Sequence, residues 1–118
     1  MREIVEGVCA MNHAGCEFLY THEFYPVVND PACVAAAVKA AQAAVGEDKV
    51  NGNCDPWMAS EDFAAFLKKV PGCFLLLGSG KNAAGNVSLH QNIFDYNDDI
   101  LTTGAEFWAE LVKERLAK

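Results

Sequence analysis

The sequence has no run of lysine or arginine, no apolar stretch long enough to cross a bilayer, and no two cysteines at C-x-x-C spacing. Each absence removes a class of function. Phosphate-binding surfaces need clustered positive charge, so a chain of formal net charge −7 without a basic patch is not expected to bind nucleic acid. Nothing is expected to span a membrane. The opening, MREIVEGVCAMNHAG, lacks the apolar centre of a secretion signal because Glu3 and Glu6 interrupt it, and a cytoplasmic location is the default expectation. The five cysteines, Cys9, Cys16, Cys33, Cys54 and Cys73, are odd in number. A disulfide framework or zinc ribbon is therefore not expected, and each reads as a small buried thiol.

What is present is a 118-residue chain, about half of it apolar, which suits one domain with a modest core. Residues Arg2 to Ala14 read as a helix with Ile4, Val8 and Met11 on one stripe, stopped by Gly15. In CEFLYTHEF, Phe18, Tyr20 and His22 alternate with more polar neighbours, which is strand patterning. Asp30-Pro31 is a strong helix start, and the Ala-rich helix that follows ends at Gly46. The segment KVNGNCDPWMA reads as a short strand or loop. Ser60 caps a further helix with Glu61 and Asp62 in its first turn, buried through Phe63, Phe66, Leu67 and Val70, and Pro71-Gly72 closes it. CFLLLG reads as a strand covered on both faces. Thr103 and Glu106 form a capping box for a last helix that buries Phe107, Trp108, Leu111, Val112 and Leu116. Helices alternating with apolar runs predict an α/β fold with a mostly parallel sheet. FYPVVNDP reads as a crossing between two units, 1–24 and 25–118.

Chemistry-bearing residues are few. Gly78-x-Gly80-Lys81 hints at a phosphate loop, but Asn82 to Gly85 read as more loop where a helix should open. His90, beyond a buried apolar run, stands where open α/β sheets bind ligands, and imidazole is the commonest metal ligand. A catalytic zinc needs about three protein ligands, and none at ligand spacing accompanies it. Asp98 and Asp99 suit the start of the last helix better; Asp95 leaves a His90–Asp95 site as a weaker alternative. His13 reads as a helix-end cation and His22 as a surface or interface side chain. Glu61 could serve the helix dipole or orient a ligand in a metal pocket.

Three ordered stretches, YPVVNDP, MASEDFAAFLKKVPGCFLLLGSG and LHQNIFDYNDDILTTGAEFWAELV, resemble the C-terminal part of the amidohydrolase and metallopeptidase family. That family includes hippurate hydrolase and the indole-acetyl-amino-acid hydrolases, with carboxypeptidase G and aminoacylase more distant. The resemblance covers nearly the whole chain. It implies a partial three-layer α/β/α unit over 25–118, preceded over 1–24 by a helix–strand remnant of an αβ lid domain used for dimerisation. It further implies hydrolysis of N-acyl amino acid or peptide amide bonds, with two divalent metals, zinc or manganese, and a glutamate base. His90 maps to a metal-ligand histidine. Ser60, Glu61 and Asp62 map to a motif close to the metal centre, and Asn29 maps to a position near the lid hinge.

Most of the family's ligands, and its base, belong to an N-terminal half that has no counterpart in these residues. The chain alone is thus expected to be inactive, and to need either a separate N-terminal chain or a role as a non-enzymatic oligomeric domain. A metal-binding module centred on His90 is the third reading. Unpaired edges predict a homo-oligomer, a dimer or larger.

Overall fold

The computed structural model describes residues 1–80 and 87–116. Lys81 to Gly85, the remainder of the phosphate-loop hint, lie outside the described residues. The described residues form helices α1 (Arg2–Met11), α2 (Pro31–Val45), a short α3 (Ala64–Leu67) and α4 (Leu101–Leu116), with 3-10 turns at Glu47–Lys49 and Asp98–Ile100.

Helix α2 starts as the sequence predicts. Asp30 has extended backbone, and its carboxylate accepts from the amides of Ala32 and Cys33, both at 3.0 Å. Those amides have no partner inside the helix, and Pro31 brings none to satisfy. Gly46, at φ 90°, ends α2. Helix α1 ends earlier than predicted. The Ala14 amide bonds the Cys9 carbonyl at 2.9 Å and the His13 amide bonds that of Ala10 at 3.2 Å. This is the terminator that needs one left-handed residue, and His13, at φ 53°, fills that place instead of Gly15.

The two later helices begin differently from the sequence expectation. Ser60 caps nothing: α3 opens at Ala64 with no side-chain cap, and Glu61 Oε1 accepts from the Phe63 amide at 3.0 Å. Thr103 and Glu106 lie inside α4. Its start is set by Asn97, whose side chain accepts from the Asp99 amide at 3.0 Å, with Asp98 and Asp99 in the 3-10 turn ahead of the helix.

The expected α/β fold, with its mostly parallel sheet in a partial three-layer α/β/α unit, is not found: among the described residues there is no strand. The helix–strand remnant likewise proves to be a helix followed by an unladdered segment. The physical reason is that a strand is a paired object. Residues 17–23 keep the side-chain alternation, since Phe18 stacks on Tyr20 and Tyr20 meets His22 edge-on at 4.8 Å. They find no second backbone to bond. The apolar run 73–78 finds none either. What pairs with it is a side chain, Asn29, described below.

The packing that does form is between α2 and α4. Ala37, Ala40, Ala41 and Ala44 make a stripe of small side chains, and Phe107 seats against it with Leu111 and Cys73 alongside. The Ala-rich helix thus lies close to another helix, where the sequence suggested a sheet. Lys39 and Glu114 bridge the pair at 2.9 Å, an exposed contact worth under about 1 kcal/mol. Ala37, Ala40, Ala64 and Phe107 are the buried side chains of the described residues. Trp108 (63% exposed), Val112 and Leu116 on α4, and Ile4, Val8 and Met11 on α1, are open to solvent. The radius of gyration, 20.6 Å, exceeds the roughly 13 Å of a compact 100-residue domain, in keeping with so small a core.

The Asp30 cap gives α2 a pH dependence. Its hydrogen bond from Cys33, opposed by desolvation and reinforced by Ala32, holds the carboxyl below its ordinary value of 3.8. The cap therefore contributes fully above that value and is lost as pH falls through the lower folded one. Hydrogen exchange at Ala32 and Cys33 should accelerate on acidification below 3.8 beyond the intrinsic trend. In Asp30→Asn, a good neutral cap, that extra acceleration should vanish.

Candidate functional site

Three segments carry the residues of interest: the crossing 25–31, the stretch 58–63 ahead of α3, and the turn region 87–97 ahead of α4. The first two are knitted together. Asn29 Nδ2 donates to the Phe74 carbonyl at 2.9 Å and its Oδ1 accepts from the Phe74 amide at 2.8 Å. One side-chain amide thus does for Phe74 what a neighbouring strand residue would do. The Asp30 amide adds a bond to the Gly72 carbonyl at 2.9 Å. The Phe63 ring packs on Phe74 at 5.4 Å and on Phe66 at 5.8 Å, and Lys68 Nζ sits 3.1 Å from the centre of the Tyr25 ring. Asn29 is therefore a structural clamp, a role that a motif position near a hinge did not disclose.

The third segment is held at its end by another asparagine. Asn97 Nδ2 donates to the Ser79 carbonyl at 2.9 Å while its oxygen caps the 3-10 turn Asp98–Ile100 ahead of α4. The Phe94 amide closes a turn onto Gln91 at 3.0 Å, and the Phe94 and Tyr96 rings meet edge-on at 4.9 Å. His90 is exposed, in the turn at 89–90, with a left-handed backbone at φ 68°. The sequence reading missed Asn97. Its signal was present: Asn-Asp-Asp directly before a helix is a good capping sequence.

Ser60 and Asp62 are exposed and Glu61 is half-buried against its own backbone bond. Among the described residues no three His, Cys, Asp or Glu side chains gather as a metal set, so Glu61, Asp62 and His90 do not form one. His90 suits a single ligand position; the described residues do not by themselves fit a two-metal centre.

Clefts lie elsewhere among the described residues. An open one of about 420 Å³ is walled by Val28 to Pro31 and by Leu67 to Gly72. A narrower one of about 190 Å³ lies between α2, Gly72 to Leu75 and α4, with Cys33, Cys73 and Trp108 on its walls and Arg115 at its rim. Neither is lined by Ser60, Glu61, Asp62 or His90. Desolvation pushes the thiols of Cys33 and Cys73 up, the nearby Asp30 carboxylate adding to it at Cys33. Cys16 and Cys54 are exposed, contrary to the expectation that every thiol is buried.

Comparison with known proteins gives this arrangement its context. Residues 4–114 match the family model described as peptidase family M20/M25/M40. Thermostable carboxypeptidase 2 of Saccharolobus solfataricus is 30% identical over 107 residues, 89% of this chain and 26% of that protein. N-acetylcysteine deacetylase of Bacillus subtilis is 32% identical over 111 residues, 94% of this chain and 27% of that protein. The IAA-amino acid hydrolase ILR1-like 2 of Arabidopsis thaliana is 37% identical over 67 residues, 53% of this chain and 15% of that protein. No solved structure matches. By their names these relatives are a carboxypeptidase, a deacetylase and an amino acid hydrolase. The chain belongs to peptidase family M20/M25/M40. It spans about a quarter of the length of the first curated relatives it matches. Members of this family generally work with a divalent metal.

The clamp can be tested directly. Asn29→Ala leaves the half-buried Phe74 N–H and C=O without their partner and should cost about 1–2 kcal/mol in chemical denaturation. Asn29→Asp keeps an acceptor for the amide but removes the donor to the carbonyl, and should be destabilising as well.

Proposed function

We propose that this chain is the C-terminal part of an amidohydrolase or peptidase that hydrolyses N-acyl amino acid or peptide amide bonds, and that it is inactive alone. The observation that carries this reading is the family match over residues 4–114, set against a donor set too small for the family's chemistry. In this reading His90 supplies one ligand to a divalent metal, zinc or manganese. Ser60, Glu61 and Asp62 shape the loop beside it. Asn29 and Asn97 do not touch substrate; they hold the two loops that do the presenting. The remaining ligands and the general base come from residues corresponding to the N-terminal part of the relatives, in a separate chain or a joined segment.

When bound, the metal polarises the scissile carbonyl and acidifies a water. The share of this chain is to present one imidazole at the end of a short, tied turn. Its exposed α1 and α4 stripes support association, with a complementary chain or with further copies.

Incubated with zinc or manganese and an N-acyl amino acid such as hippurate, the purified chain should show no turnover. Co-expressed with the N-terminal part of a family member, it should turn substrate over, and His90→Ala in the same pair should abolish the rate while co-purification persists. Turnover by the lone chain that depends on His90 would overturn the proposal. So would activity of the pair that is indifferent to His90→Ala.

A further inference from the structure

We propose that Cys9 and Cys16 are a dithiol pair which a low-molecular-weight disulfide, such as oxidised glutathione, converts to an intrachain disulfide. The geometry comes from the way α1 ends. The left-handed backbone of His13 turns the chain back on the helix, and the Ala14 amide bonds the carbonyl of Cys9 itself at 2.9 Å. Farther on, the Arg2 guanidinium donates to the Phe18 carbonyl at 3.2 Å and lies 5.0 Å over the Phe18 ring. The residues on both sides of Cys16 are thus tied to α1, at its last turn and at its first. Between those ties residues 15–17 run back along α1, which brings Cys16 near enough to Cys9, Glu6 and Arg2 to be perturbed by all three. Cys16 is exposed and Cys9 half-buried, which assigns their parts: Cys16 meets the oxidant and Cys9 resolves.

The chemistry balances in two exchanges. The Cys16 thiolate attacks one sulfur of oxidised glutathione, forming a mixed disulfide and releasing one glutathione thiolate. The Cys9 thiolate then attacks Cys16 Sγ, forming the Cys9–Cys16 bond and releasing the second. Two cysteine thiols lose two protons and two electrons, and oxidised glutathione becomes two glutathione molecules. Desolvation, the nearby Cys9 thiol and then the Glu6 carboxylate push the Cys16 thiol up, and Arg2 opposes them. Thiolate is the attacking species, so closure speeds up as pH rises. The product would lock the extended segment 14–18 to α1, stiffening a unit whose helix packs on no other helix among the described residues.

Cleavage after glutamate makes the test direct, because residues 7–17 carry Cys9 and Cys16 and no other cysteine. The full chain is treated with oxidised glutathione, quenched with acid, digested and weighed. Fragment 7–17 should be lighter by two hydrogens and carry no adduct. In Cys9→Ser the same fragment should keep one glutathione. Closure should be several-fold slower in strong denaturant, where the terminator and the Arg2–Phe18 tie are gone. A wild-type fragment that keeps glutathione, stays unmodified or joins another fragment would overturn the proposal. So would equal closure rates in native buffer and denaturant.

Discussion

Phe74 bonds through both its N–H and its C=O to one side chain, Asn29, forty-five positions earlier in the chain. Much of the local order on either side refers back to that pair. Asp30 follows directly, so the clamp also fixes where α2 begins, and the Asp30 amide reaches Gly72 from the same turn. Phe74 carries the Phe63 ring, and Cys73 beside it touches the α2–α4 core. The crossing segment, the stretch ahead of α3 and the helix pair therefore share one joint. A side-chain amide suits that joint because it offers a donor and an acceptor in one plane, as a peptide does. It can satisfy one residue of an apolar run. It cannot propagate a ladder, which is why the order it creates stops at Phe74.

The limit on burial follows from the same fact. Phe107 can be covered because α2 presents alanines at i, i+3, i+4 and i+7, a groove shallow enough for a ring. Trp108 and Val112 point elsewhere on α4, and among the described residues no comparable surface covers them. Each large apolar side chain left in water forgoes about 1.5–3 kcal/mol that burial would contribute. The chain spans about a quarter of the length of the relatives it matches, and these stripes are open to solvent among the described residues.

Local signals in the sequence were legible where the physics is local. Asp30-Pro31 and Gly46 bound α2 because a cap and a stop act within four residues. The acidic pair Asp98-Asp99 sits at a helix start for the same reason. The family was legible too, since ordered motifs such as SEDF and LHQN survive in the residues whatever their packing. The sheet was not. Alternation over 17–23 and the run CFLLLG report side-chain preference, and a strand also needs a neighbour that no window of sequence supplies. Ser60 and the Thr103–Glu106 pair had capping composition, but capping depends on where the first helical turn falls. Asn97, with its bond to Ser79, placed that turn ahead of Thr103, while at α3 Glu61 bonded the Phe63 amide and Ser60 bonded none.

At His90 these constraints meet in one residue. A left-handed backbone costs an ordinary L-residue about 1–2 kcal/mol, and glycine or asparagine would fill the place with less strain. The turn is short, bounded by the Gln91–Phe94 bond on one side and by the Asn97–Ser79 tie farther on. Nothing about packing asks for an imidazole there, since the side chain is exposed. His13, at φ 53°, has the same left-handed backbone and an exposed ring at a helix terminator, so the conformation alone assigns no role. What sets His90 apart from His13 is the family match over residues 4–114, and the proposal that its chemistry is completed by other residues rests on that match.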